Sequence, residues 1–275
     1  MLQSSNPVLS GDADFREHYG TMAGGRSDVA TLQGIVNRTA AFAIVCVLFG
    51  AVGYHFLAGN RSLTMLVAFA GFAITMGMGF VIRRNPALAA PLGFVFAAVE
   101  GIFLGAVTGS LDMVLQNVLG EKNPVLATGG LALPAFIITI SVMGSMLALY
   151  SARIIRPTAR FKAIIGTLTM AVMVTYLASF VLSLFSVQIP FLSLGSAFGS
   201  GMAPLIGMGI SLLFLGIASF ALIMDFERCE QIVESGAPKN MEWFAAFGLI
   251  VGLAWVYFES VKLAFRLAIM FGNRD

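Results

Sequence analysis

Between Lys162 and Asp225 the chain carries no charged side chain at all. A run of that length does not suit a water-soluble domain, in which about a quarter of the residues are charged. Here the whole chain is 11% charged and 58% hydrophobic. Disorder is excluded by the same figures, because disordered segments are poor in apolar residues. A membrane-crossing helix takes about 20 apolar residues, so the hydrophobic content suits roughly seven of them and leaves no room for a second, soluble domain. The runs are continuous, whereas the strands of a membrane barrel alternate. The expected fold is therefore an all-α integral membrane protein, a seven-transmembrane-helix bundle.

Charge-free stretches place the spans. The first three fall at 39–58, 62–82 and 87–109, the third interrupted by Glu100. A fourth lies within 124–150. The run from Lys162 to Asp225 holds two, separated by 188–204, whose prolines and glycines cannot all stay helical. The seventh begins near Trp243 and runs towards Met270. Residues 1–38 are polar, lack the apolar core of a signal peptide, and are expected to form a cytosolic tail. The last part of that tail, 31–38, is expected to be a short turn at the interface, and 39–275 is the membrane domain.

Lys and Arg set the orientation. With the N-terminus inside, the inner segments hold Arg16, Arg26, Arg38, Arg83, Arg84, Arg153, Arg156, Arg160, Lys162, Arg228 and Lys239. The outer ones hold Arg61, Lys122, Lys262, Arg266 and Arg274. The N-terminus is thus cytoplasmic, although the three C-terminal cations oppose an outer C-terminus. The net charge of +2 gives no reason to expect nucleic-acid binding. His18, His55, Cys46 and Cys229 lack ligand spacing, and no resident cofactor or metal is expected.

A charge inside a bilayer costs about 2.5–3.5 kcal/mol on insertion scales and marks a functional candidate. Five stand inside the spans: Glu100, Asp225, Glu259, Lys262 and Arg266. Glu259, Lys262 and Arg266 share one helix face. Glu259 follows a long uncharged stretch, which favours an inward carboxylate over an interfacial end with snorkelling cations. Asp225 ends span six at a depth similar to Arg83 and Arg84. Enclosed carboxyl groups titrate unusually, and two that share a proton behave as one switch. Such a pair in a wet cavity also attracts cations, and hard oxygen ligands suit calcium.

The chain resembles the Bax-inhibitor (transmembrane Bax-inhibitor-motif) family in its bacterial YccA-like branch. The resemblance is carried by Thr31-Leu-Gln-Gly-Ile-Val-Asn-Arg-Thr39, Glu100-Gly-Ile-Phe-Leu-Gly105, Ile223-Met-Asp-Phe226, Gly236-Ala-Pro-Lys-Asn-Met-Glu-Trp-Phe244 and Trp255-Val-Tyr-Phe-Glu-Ser260. It implies seven helices with the last one central, in a bacterial inner (cytoplasmic) membrane. It implies a pH-sensitive calcium leak governed by an acidic pair. Asp225 matches one member and Glu259 the other, where many relatives have Asp. Arg83 matches an arginine that can latch the span-six acid, with Arg84 beside it. Helical rise gives a competing pairing. Glu259 lies about 27 Å into span seven and Asp225 only about 14 Å from its helix end, which brings Glu259 level with Glu100.

Two enzyme-like readings are weak. Gly195-Ser-Ala-Phe-Gly-Ser-Gly201 suggests a serine nucleophile, but neither His lies deep in a later span. Lys262 as a retinal Schiff base with Glu100 as counter-ion puts the lysine too near the chain end. No catalytic residue is assigned, and the chain is not expected to be an enzyme. The remaining alternative is a non-conducting regulatory protein that binds membrane proteases. It would present its tail and the acidic set Glu227, Glu230, Glu234 and Glu242, which otherwise reads as a solvated hairpin.

Overall fold

The computed structural model describes residues 29–120, 129–185, 187, 189 and 192–272. Among these are seven long α-helices: α1 (Leu32–Phe56), α2 (Arg61–Arg84), α3 (Ala89–Leu119), α4 (Ala132–Ser151), α5 (Ala159–Leu184), α6 (Ala203–Glu234) and α7 (Met241–Gly272). Short 3-10 turns stand at Pro86–Leu88 and Leu194–Phe198. The described residues form no β-strand, only an isolated bridge between Val29 and Pro238. Among the described residues, six of these helices, α1 and α3 to α7, are long and apolar enough to cross a membrane. The protein is a helical membrane bundle.

The helix starts are written locally. Thr31, Asn60 and Thr158 each offer a side-chain oxygen to a backbone N–H in the first turn of α1, α2 and α5. Asn85 does the same for the 3-10 turn that leads into α3. The break expected at 188–204 contains the second 3-10 turn.

Two helices outrun their expected ends. Residues 32–38 are the first two turns of α1, not a separate turn. Helix α3 continues past Gly109 to Leu119, carrying Asp112 inside it. The Asp112 carboxylate is buried and accepts the Leu131 N–H at 2.8 Å, so the charge does not end the helix. The tail before residue 29 lies outside the described residues.

The chain divides into two compact units. The first holds the described residues up to Val107 together with Met224–Gly252. Its core gathers Phe42, Ile82, Phe96 and Ile250, with a smaller cluster around Ile35, Cys229 and Met241. Here α1 and α3 meet backbone to backbone. A methyl group on Gly101 would collide with the Cys46 carbonyl, and one on Gly105 with the Gly50 carbonyl. The sequence Gly101-Ile-Phe-Leu-Gly105 is thus a small-residue contact of the kind that lets membrane helices approach closely.

The second unit comprises Thr108–Ile223 and the chain from Leu253 on. Its core is built from Leu115, Leu131 and Phe265, and from Val172, Phe214 and Ile217. Burial differs sharply between helices. In α7, 56% of the most apolar stretch is buried, against 11% in α1 and in α5. The apolar side chains exposed on α1 and α5, such as Ile44, Val47, Val174 and Leu184, suit lipid contact.

Candidate functional site

The second unit encloses the last three intramembrane charges. Helix α7 presents Trp255, Glu259, Lys262 and Arg266 at steps of four, three and four residues, which align them on one face. All of Glu259 is buried, and Lys262 and Arg266 are only 5% and 2% exposed. This face of α7 therefore turns inward, as the long uncharged stretch before Glu259 suggests, and its cations do not snorkel outward.

Tyr176 on α5 completes the cluster. Its hydroxyl donates to Glu259 Oε1, which also accepts the Trp255 indole N–H at 3.3 Å. Lys262 Nζ lies 2.9 Å from Glu259 Oε2 and 2.5 Å from the Tyr176 hydroxyl. Three rings surround that nitrogen, those of Tyr176, Phe258 and Phe214, with centroids at 4.7, 5.3 and 5.5 Å. An ammonium among aromatic faces gains attraction from their quadrupoles. One turn further, Arg266 donates to Ser196 Oγ at 2.8 Å and to the Ser193 carbonyl at 3.1 Å, on and just before the second 3-10 turn. Glu259 is therefore a satisfied buried carboxylate, held by an ammonium, a phenol and an indole.

The other sequence candidates lie in the first unit. Asp225 is half-buried on α6 and stands 3.5 Å from Arg228, one turn on. The Arg83 side chain, its expected latch, lies outside the described residues. Arg84 is exposed, its guanidinium 4.4 Å over the Phe80 ring. Glu100 is half-buried on α3, beside the Gly101 contact with α1. The described residues hold no group of three His, Cys, Asp or Glu placed to bind a metal ion.

Sequence reasoning missed a second buried acid. Glu242, read above as part of an exposed acidic hairpin, is 1% exposed in the first turn of α7. Its Oε2 pairs with Arg38 Nη2 at 2.9 Å. Its Oε1 accepts the Thr31 N–H at 2.9 Å and the Thr31 hydroxyl at 3.1 Å. Arg38 also donates to the Lys239 carbonyl at 2.6 Å and lies 4.7 Å over the Trp243 ring. Beside this pair the Ala30 N–H reaches the Ala237 carbonyl at 2.8 Å. The start of α1 is thus clamped onto the start of α7. The two stretches 31–39 and 236–244, remote in sequence, are in contact here.

A multi-pass helical bundle with titratable side chains buried inside it defines an integral membrane protein. The chain belongs to the Bax inhibitor 1 like family, whose model matches residues 6–269. No curated protein and no solved structure matches it.

Proposed function

We propose that this protein is a pH-sensitive cation leak of the cytoplasmic (inner) membrane, with its N-terminus in the cytosol and calcium as the conducted ion. Glu259 is the central acid of the route. Asp225 on α6 is its proposed partner, with Arg83 as the latch, and Glu100 is the competing partner. The observation that carries this reading is the complete burial of Glu259 against Lys262 and Tyr176. A purely structural bundle gains nothing from a carboxylate at such a depth, and intramembrane acids mark ion and proton paths.

The non-conducting alternative, a regulator that binds membrane proteases, has less support. One of its four acidic contacts, Glu242, is buried against Arg38 and cannot meet a partner.

Purified protein in liposomes loaded with a calcium dye tests the proposal, at mildly acidic and mildly alkaline pH. The expected result is calcium flux that changes with pH and loses that change in Glu259→Gln. Asp225→Asn and Glu100→Gln then decide the partner, since only the true one alters the profile. Protein-free rates at both pH values would overturn the leak.

A further inference from the structure

The Glu259 site already contains a cation. Lys262 Nζ lies 2.9 Å from a carboxylate oxygen and 2.5 Å from a phenol oxygen. It is lined by ring faces at 4.7–5.5 Å. Few oxygens and several aromatic faces make a poor cage for calcium, which takes 6–8 oxygen ligands. They make a good one for a primary ammonium. We propose that Lys262 is a tethered plug: its ammonium occupies the cation position at Glu259, and passage requires this arm to leave. The proposal rests on the leak reading for its consequence, but the ammonium site itself does not.

The geometry supports the plug in two ways. Glu259 and Lys262 lie three residues apart on one helix, so the ammonium reaches the carboxylate from α7 itself and no other helix has to carry the plug. The lysine arm is also anchored at one end only. Release on this proposal is a rotation of that side chain alone, while the carboxylate keeps its Tyr176 and Trp255 hydrogen bonds.

The test replaces the tethered cation with a free one. Lys262→Ala removes the arm, and propylammonium reproduces the missing three carbons and nitrogen. In detergent, the full-length variant is expected to gain several degrees in melting temperature with propylammonium and none with propanol. Adding Glu259→Gln should abolish that gain. In liposomes, Lys262→Ala should leak calcium severalfold faster than the parent, and propylammonium should block it while leaving the parent unchanged.

The readouts separate the two ideas. Stabilisation by propylammonium without flux in any variant keeps the plug site and overturns the leak. Flux through the parent, with Lys262→Ala neither leakier nor stabilised, overturns the plug and keeps the leak. If Lys262→Ala does not fold, Lys262→Gln carries the test, since its amide keeps hydrogen bonds but no charge. Leakage equal to the parent's then overturns the plug.

Discussion

Helix α7 buries two glutamates against two cations, and the pairs are built in different ways. Glu259 takes its cation from its own helix, three residues on, and is itself wholly buried. Glu242 takes its cation from α1, and the Arg38 side chain remains 17% exposed. The first pair is local and dry. The second is long-range and partly exposed on the Arg38 side. A local pair adds little to the definition of the fold, because it exists in the isolated helix. A long-range pair fixes which segments meet. On this contrast Glu242–Arg38 is the architectural contact, and Glu259–Lys262 is free to serve as a working part.

The sharpest way to break the comparison is to strand one charge. Lys262→Met leaves the Glu259 carboxylate buried without its cation, and breaking a buried pair from one side costs about 3–5 kcal/mol. Removing both partners should largely undo the damage, because apolar replacement of a buried ion pair is often neutral or better. Denaturant unfolding in mixed micelles measures both. A double variant, Glu259→Met with Lys262→Met, as unstable as the single one would show that the pair is structural after all.

Arg38→Met is the matching change at the other pair. The Arg38 side chain is partly exposed, and Glu242 keeps both Thr31 hydrogen bonds. The expected loss is about 1.5–3 kcal/mol, the range for hydrogen bonds to charged groups. Function should divide along the same line. Glu259→Gln is expected to alter the pH dependence of calcium flux, and Glu242→Gln to leave it unchanged once the protein folds. Equal effects on flux would erase the distinction between a working pair and an architectural one.

The contrast also governs what the sequence discloses. Glu259, Lys262 and Arg266 are readable because helical spacing alone aligns them. Tyr176, on another helix, left only a weak signal: a polar-tipped ring in an otherwise apolar span. The Glu242–Arg38 pair is invisible although both segments stand out as family stretches, since no spacing rule links residues on α1 and α7. The misread helix ends share one cause. Arg38 lies just before the expected first span and Asp112 just after the expected third, yet each lies inside a helix because a remote segment satisfies its charge. For Arg38 that group is Glu242, and for Asp112 it is the Leu131 N–H. The number and class of the helices follow from hydropathy, which is a property of each segment alone. The pairing of α1 with α3 depends instead on where Gly101 and Gly105 face, and the sequence does not disclose that.

The smallest expected effect tests whether the clamp is ionic or rests on its cap. The Thr31 hydroxyl accepts the Gly34 N–H at 3.0 Å and donates to Glu242 at 3.1 Å, so it serves α1 as a cap and α7 as a ligand at once. Thr31→Ala removes both contacts but leaves the Thr31 backbone N–H bonded to Glu242 and the Arg38 pair intact. Loss of an N-cap costs about 1 kcal/mol. Thr31→Ser should restore most of it, because the hydroxyl returns and only a methyl is missing. Unfolding in the same micelles should then rank Arg38→Met below Thr31→Ala in stability. If Thr31→Ala proves the more damaging, the capping hydroxyl and not the ion pair holds α1 to α7, and Arg38 is left as a cation resting on Trp243.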